Sequence, residues 1–271
     1  MLKALEPIWT AKPETATRVR SRIERVLDWA RVRGHRTGDN PARWRGHLDK
    51  LLPMLGKKKR VKHHPALPFR DAGQFMAKLR KQDGMAARAL ELLILTASRT
   101  NEVISARWRE FDLQRSVWTI PADRMKAHRE HRVPLSAAVI RLLRSLPRIH
   151  EEPFLFPGAP GKHMSNMALL ELLRRMGRDD ITVHGFRSTF RDWAAECTNF
   201  SREVCEMALA HTVSDEIEAA YRRGDLFEKR RRLMGEWAKF CARHARTRRS
   251  SGGALHTRAA DLPPLTLPRA S

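Results

Sequence analysis

The sequence predicts a mainly α-helical protein with one small antiparallel β-element, divided into a short N-terminal domain and a larger second domain. Apolar residues recur at helical spacing along most of the 271-residue chain. Two short β-rich segments, residues 116–120 and 131–135, lie close enough together to form a hairpin. A basic stretch containing prolines interrupts the helical pattern at residues 54–66 and indicates a domain boundary.

The first predicted domain, residues 1–53, contains two helices. Pro13 lies in the first turn of the first helix, where proline is tolerated, and Gly34 follows its end. The apolar stripe of this helix consists of Val19, Ile23, Val26, Leu27 and Ala30. A second helix is expected over residues 41–52. Two helices offer this stripe little surface to pack against, so the domain is expected either to have a partner elsewhere or to lack an upstream part.

The predicted linker, residues 54–66, is strongly basic, and like charges in sequence resist packing. Its candidate DNA-binding residues are Lys57, Lys58, Lys59, Arg60 and Lys62. The pattern is compatible with a solvated, flexible tether and with a tether that lies along nucleic-acid phosphates. Both interpretations can hold together.

The second domain is predicted over residues 67–244 and is followed by a disordered tail, residues 245–271, rich in arginine, glycine and proline. Its helices are expected at 71–82, 85–97, 100–108, 136–146, 165–176, 185–197, 201–209, 214–222 and 226–244. The two β-rich segments lie between the third and the fourth of these helices.

The charge of the chain indicates its class of partner. The sequence has 53 Lys and Arg against 30 Asp and Glu, a formal net charge of +23. Such a surplus implies a polyanion, with nucleic acid favoured over an anionic membrane surface. The sequence shows neither an apolar stretch of roughly 20 residues nor a signal-peptide pattern. We therefore expect a cytoplasmic protein, associated with the nucleoid when bound to DNA, and no membrane partner.

No cofactor or metal is expected from the sequence. Cys197, Cys205 and Cys241 form no CxxC pair and fit a reducing compartment, as small core residues. The 12 histidines include no HExxH pattern and no Cys/His spacing typical of zinc sites.

Several polar residues of the second domain suggest chemistry, although each also has a plain structural explanation. Arg99 can be a helix-start arginine that pairs with Glu102 at i,i+3. Lys126 lies between the predicted strands, where a solvated lysine is the default. His211 follows the apolar segment 207–210 and can be a partly buried core histidine.

These residues, together with Arg187 and Tyr221, match in their order along the chain the needs of a phosphodiester transesterification. Arg99 and Arg187 can supply permanently charged, bidentate bonds to the phosphate. Lys126 can protonate the departing 5′-hydroxyl. Tyr221 can supply the nucleophile, although a phenol with a pKa of about 10 needs help at neutral pH. With arginines neutralising the phosphate, neither a metal nor ATP is required.

The chain resembles the tyrosine recombinases of the phage-integrase family, most closely the integrases of P4-type prophages and genomic islands. The segments that carry the resemblance are 95–102, 106–108, 111–113, 124–126, 131–136, 184–191, 209–211 and 220–225. The resemblance is dense over residues 66–243 and looser from Pro13 to Pro53. It implies a recombinase catalytic domain preceded by a partial helical core-binding domain, without the N-terminal arm-binding domain.

The resemblance implies roles around the phosphate. Arg99 and Arg187 would clamp the scissile phosphate, and Lys126 would protonate the leaving 5′-oxygen. Glu102 matches the family's acidic residue after the first arginine and would support the site. Ala97 departs from the family, because Thr-Gly usually precedes this arginine.

The resemblance also implies roles around the nucleophile. Tyr221 would form the 3′-phosphotyrosyl link, and it is the only tyrosine of the chain. His184 would accept the tyrosine proton and return it on rejoining, and His211 would hydrogen-bond the phosphate. The implied function is integration and excision of a prophage or genomic island. The implied partners are double-stranded DNA at attachment sites, further copies in a homotetramer, an excisionase and a host DNA-bending protein.

Two other functions stay open at this point. The chain could be a catalytically silent, truncated integrase remnant that only binds DNA. It could also be a metal-dependent nuclease that uses Asp179 and Asp180 or Glu151 and Glu152, although adjacent carboxylates tend to diverge. A suicide DNA substrate separates the first alternative from the recombinase, and resistance of cleavage to EDTA would dispose of the second.

Overall fold

The computed structural model describes residues 1–54, 65–149, 152–211 and 224–243, which are mainly helical. They fall into two compact units on either side of the boundary between His63 and His64. The expected tail, residues 245–271, and the five cations of the expected linker lie outside the described residues.

Within residues 1–54, the first unit contains three α-helices: α1 (Leu2–Trp9), α2 (Pro13–Val32) and α3 (Asp49–Leu51). Pro13 begins α2 as predicted. Helix α1 was not expected, because Pro7 interrupts its pattern. The prediction of a helix over 41–52 is wrong. A π-type turn precedes α3, and Gly46, with φ of 73°, breaks the helical backbone there.

The apolar stripe predicted for α2 lies on its buried face but is covered only in part. The buried residues of α2 are Ala16 and Arg20, whereas Val26 is 62% exposed. The core of this unit consists of Leu5, Trp9, Ala16, Leu48 and Leu52. This core covers only the first half of α2. In the described part of the unit, the second half of α2 keeps an apolar, solvent-facing side.

The second unit contains eight described helices around a large core. They are α4 (Ala72–Arg80), α5 (Met85–Thr96), α6 (Thr100–Ile104), α7 (Ala137–Ser145), α8 (Met167–Arg175), α9 (Gly185–Cys197), α10 (Arg202–Ala208) and α11 (Phe227–Ala242). Helix α5 lies at the centre and packs against α4, α7, α8, α9 and α11. The helix predicted over 214–222 lies outside the described residues.

A three-stranded antiparallel sheet lies between α6 and α7 in sequence. Its strands are β1 (Phe111–Asp112), β2 (Val117–Ile120) and β3 (His131–Pro134), in the order β1-β2-β3. Ile120 pairs with His131, so the predicted hairpin is confirmed, and β1 adds a strand to it. The predicted helix 100–108 ends at Ile104, because the chain turns there toward β1.

No helix among the described residues has both the length and the apolar character that a membrane crossing needs.

Candidate active site

Arg99 stands at the start of α6 and is held by Glu102 one turn later. The Glu102 carboxylate accepts the Arg99 backbone N–H at 2.7 Å and the guanidinium Nη1 at 2.8 Å. The simple helix-start pair is therefore present, and Glu102 is only 4% exposed. The Nη2 of Arg99 donates to the carbonyl of Ala210 at 3.0 Å, 111 residues away. This bond ties Arg99 to the segment that carries His211.

The turn before Arg99 has a left-handed backbone. Helix α5 ends at Thr96, and the next residue, Ala97, has φ of 52°. Non-glycine residues pay a steric cost in this region because of their Cβ atom. The turn directs the Ala97 carbonyl at Arg187, whose Nη1 donates to it at 2.5 Å. The turn at Ala97 thus precedes Arg99 and also contacts Arg187. Its backbone has a conformation that glycine adopts more easily than alanine.

Arg187 lies on α9 and is 4% exposed. Besides Ala97, its guanidinium contacts the carbonyl of Leu209 at 2.5 Å and the Nε2 of His211 at 3.2 Å. Burial, and after it the nearby charge of Arg99, lower the pKa of Arg187 to about 10. The guanidinium therefore stays charged at neutral pH although it is buried and faces a like charge.

His184 directly precedes α9 and is exposed. The next residue, Gly185, is required by a close approach of the backbone. A Cβ at this position would lie 2.2 Å from the carbonyl oxygen of Pro65. The same carbonyl accepts the Thr182 backbone N–H at 3.0 Å. The chain at Pro65 therefore lies under the turn that places His184 and Arg187.

His211 is oriented by a carboxylate that the sequence did not reveal. Its Nδ1 lies 2.6 Å from the Oε2 of Glu206, and Arg191 donates to the other oxygen of Glu206 at 2.7 Å. Burial alone would raise the pKa of Glu206, but the bonds from His211 and Arg191 outweigh it and lower that pKa. Glu206 stays ionised, and its carboxylate favours a proton on Nδ1 of His211. The other ring nitrogen of His211, Nε2, faces Arg187.

Lys126 occupies the connection between β2 and β3, as predicted. Its neighbour Met125 is buried, whereas Lys126 is exposed. In the described part of the chain the structure records no contact of its ammonium with Arg99 or Arg187. The structure therefore groups the two arginines with His211 and leaves Lys126 on the adjoining loop.

His131, at the first position of β3, lies near the charged groups of Arg99, Glu102 and Arg187. Burial first, and then the positive charges of Arg230, Arg99 and Arg187, lower the pKa of His131 to about 4, against the opposing effect of Glu102. Its imidazole is therefore neutral at physiological pH. The segment 131–136 contributes to the family resemblance, but its pattern alone indicates no role for His131.

Tyr221 lies outside the described residues, as do Lys57, Lys58, Lys59, Arg60 and Lys62. Their roles stay predictions.

The carboxylates of the nuclease alternative form local surface contacts. Asp180 accepts two bonds from Arg178, at 2.7 and 2.8 Å. Glu152 accepts the backbone N–H of Phe154 at 3.0 Å, and Glu151 lies outside the described residues. The contacts of Asp180 and Glu152 agree with their plain structural explanation.

Comparison with known proteins gives matches over both units. Residues 66–225 match the Phage integrase family, and residues 1–47 match the Phage integrase central domain. The integrase of Enterobacteria phage P4 is 33% identical over 248 residues, which cover 84% of this chain and 55% of that protein. The prophage integrase IntZ of Escherichia coli K12 is 34% identical over 230 residues, covering 83% and 55%. The chain thus spans about half the length of these relatives.

Solved structures share the fold. A lambda integrase dimer bound to a COC′ core site has a TM-score of 0.55 and 17% identity, covering 82% of this chain and 78% of that one. The integrase from mycobacterium phage Brujita has a TM-score of 0.52 and 18% identity, covering 85% and 76%. At these identities the likeness concerns the mainly helical fold with its small antiparallel sheet.

Proposed function

Because the chain belongs to the phage integrase family, we propose that it is a site-specific DNA recombinase that cleaves and rejoins DNA through a covalent 3′-phosphotyrosyl intermediate. The observation that carries this proposal is the convergence of Arg99, Arg187 and His211, which come from three separate segments of the chain. Arg99 contacts Ala210, and Arg187 contacts His211 directly. An anion would offset the mutual repulsion of the two guanidinium groups.

The arginines would stabilise the pentacoordinate phosphate. Both are anchored to backbone carbonyls, at Ala97, Leu209 and Ala210, so their charge is fixed in place before substrate arrives. A guanidinium has more N–H donors than these bonds use, which leaves some for phosphate oxygens. Donors that need no reorganisation stabilise developing charge most effectively. Such charge neutralisation supports a reaction that proceeds without metal or ATP.

The proton transfers would complete the reaction. The phenol oxygen of Tyr221 attacks phosphorus as its proton passes to His184, and the bond from phosphorus to the 5′-oxygen breaks. Lys126 donates a proton to that leaving oxygen. The 5′-hydroxyl of a partner strand reverses these steps on rejoining, and Tyr221 then recovers its proton. His211, oriented by Glu206, would donate a hydrogen bond to the phosphate from Nε2, which must carry a proton for this contact.

The partners follow from the same proposal. The charge of +23 favours binding to double-stranded DNA at attachment sites through phosphates, with strong salt dependence. We propose that the protein acts as a homotetramer in integration or excision of a prophage or genomic island. An excisionase and a host DNA-bending protein would assist, in the cytoplasm at the nucleoid. The cations of residues 57–62 would contact the DNA backbone.

The test uses a suicide DNA substrate made from the junctions of the element next to the gene. The wild type is expected to form a covalent protein–DNA adduct, and EDTA should not prevent its formation. Tyr221→Phe should bind DNA normally and form none. Arg187→Ala should lose cleavage by about 100-fold or more, the scale expected when one preorganised donor is removed. Arg187→Lys should restore little of it, since a point charge lacks the bidentate fork.

The matched control is Arg115→Ala, since Arg115 is a largely exposed arginine of the same domain. This variant should retain the adduct. An adduct that survives in Tyr221→Phe would refute the assignment of the nucleophile. DNA binding by the wild type without any adduct would instead support the silent remnant.

A further inference from the structure

Arg124, two residues before Lys126, is buried in a dense set of hydrogen bonds. Its side chain is 14% exposed, and its Nη1 bonds both carboxylate oxygens of Glu110. Its Nη2 donates to the backbone carbonyl of Glu102 at 2.6 Å and to the hydroxyl of Ser105 at 3.0 Å. The Nε has no partner within the described residues. A solvated surface arginine would have none of these bonds.

These bonds join two parts of the proposed site. On one side, Arg124 holds the backbone of Glu102, whose carboxylate binds both the amide and the guanidinium of Arg99. On the other side, Arg124 is followed by the buried Met125 and then by the exposed Lys126. Two residues span at most about 7 Å of extended chain, so fixing Arg124 restricts where Lys126 can reach.

The partner of Arg124 is fixed as well. Glu110 is 5% exposed, and it also accepts a bond of 3.0 Å from the indole nitrogen of Trp118, a fully buried residue of β2. A carboxylate held by the core gives Arg124 one orientation. Arg124 is thus a rigid connection between β2, α6 and the loop that carries Lys126.

From this geometry we propose that Arg124 is a positioning residue, which sets the distance from Lys126 to the phosphate clamped by Arg99. The inference rests on the proposed function, in which Lys126 is the general acid. Arg124 itself does not touch the reacting atoms. Its loss would let the loop move relative to Arg99, and proton donation to the leaving oxygen would slow while phosphate binding persists.

The experiment compares two substrates that differ in the leaving atom. One has the normal 5′-oxygen at the scissile bond, and the other has sulfur there, which departs without needing a proton. Arg124→Gln should slow cleavage of the oxygen substrate by roughly 100-fold, as expected for a displaced catalytic group. On the sulfur substrate its rate should return close to that of the wild type. Lys126→Ala supplies the reference pattern.

A matched control breaks another arginine–glutamate pair in which the carboxylate is buried. Arg80 bonds Glu91 at 2.7 Å, between α4 and α5, and Glu91 is as well buried as Glu110. Arg80→Gln should change cleavage of both substrates by the same factor. A double variant adds a second criterion. Arg124→Gln should cause little further loss in the Lys126→Ala background, because coupled residues are not additive.

A milder variant serves if Arg124→Gln does not fold. Ser105→Ala removes the bond of 3.0 Å to Nη2, together with the bond from the Ser105 hydroxyl to the Asn101 carbonyl. It should give a smaller loss that is also confined to the oxygen substrate. Equal losses on both substrates, or no loss, in the folded variants would overturn the inference. Failure of sulfur to relieve Lys126→Ala would overturn it too, while adducts formed by the wild type would still uphold the recombinase. A wild type that forms no adduct on either substrate would refute the proposed function itself.

Discussion

Helices α2 and α5 are placed very differently, although they belong to the same chain. Nine of the 12 residues of α5 are buried, but only two of the 20 residues of α2 are. Helix α5 is enclosed by other helices, and its end forms the turn beside Arg99 and Arg187. Helix α2 contributes Ala16 to the hydrophobic core of the first unit, and this core covers only the first half of the helix. A site that gathers like charges needs many contacts to hold it, and only the second unit provides them.

The largest expected effect of this difference is on hydrogen exchange. In the whole chain without DNA, amides of α2 should exchange at least about 100 times faster than those of α5, because a small unit buries too little apolar area for high stability. Mass spectrometry of peptides from the two helices measures this. Equal protection would show that the first unit is as stable as the second. Adding DNA should reduce the difference in amide exchange rate between α2 and α5.

Matched leucine truncations test whether the units unfold separately. Leu90 and Leu48 are both fully buried, one in each unit. Leu90→Ala should lower the free energy of unfolding of the second unit by about 2–5 kcal/mol. Leu48→Ala should leave that transition unchanged. Urea unfolding, followed by the protection of α5 amides against hydrogen exchange, reports the transition of the second unit in both variants. An equal shift in the two variants would mean that the units unfold together.

The cluster around β3 predicts a pH dependence that is confined to the second unit. The pKa of His131 is lowered to about 4, so the unfolded chain binds a proton that the folded chain does not between pH 4 and the ordinary value of 6.5. The free energy of unfolding of this unit should therefore fall, by up to about 3 kcal/mol, as the pH drops through this window.

His131→Gln should flatten that dependence, and His35→Gln in the first unit should not. Thermal unfolding across the pH series measures the slope. The slope that remains in His131→Gln should lie at the acid end, where protonation of Glu206 removes the stability that its lowered pKa contributes. An unchanged slope in His131→Gln would contradict the assignment.

The smallest effect concerns backbone strain. Ala97 has φ of 52°, whereas the first unit has glycine, Gly46 with φ of 73°, at its left-handed turn. Ala97→Gly should stabilise the second unit by about 1 kcal/mol. Gly46→Ala should destabilise the first unit by a similar amount, because a side chain is strained at this φ. No atom lies within 4 Å of the added methyl, so no clash adds to this cost. Ala86→Gly, inside α5, should have the opposite sign to Ala97→Gly.

The sequence predicts most of the helices of the second unit, because apolar spacing and end signals are local. Helix α9, predicted over 185–197, runs from Gly185 to Cys197. Local signals fail where an element is very short or contains a breaking residue. Strand β1 has two residues, and α1 contains Pro7. The pattern predicts the apolar stripe of α2, but how much of the stripe is covered depends on α1, which the pattern does not reveal.

The site is predictable only as far as its residues carry recognisable chemistry. The pair of Arg99 and Glu102 follows from a spacing of three residues. The contact of Arg187 with His211 follows only once the family resemblance places them together. Glu206 lacks a sequence signal of its own, and Arg124 is marked only by the family resemblance of segment 124–126. Neither contact set is predictable, because the partners are defined by tertiary contacts.

The close contact of Gly185 with Pro65 sets a limit on where the second unit can be separated from the rest of the chain. The carbonyls of Pro65 and Leu67 accept bonds from Thr182 and from the Thr189 hydroxyl, at 3.0 and 2.7 Å, beneath the start of α9. The first residues of this unit are therefore part of the floor of its candidate site. A protease cut, a fusion joint or a replacement tether that falls before Pro65 spares this floor. One that falls a few residues later removes the support of His184 and Arg187 without touching either residue.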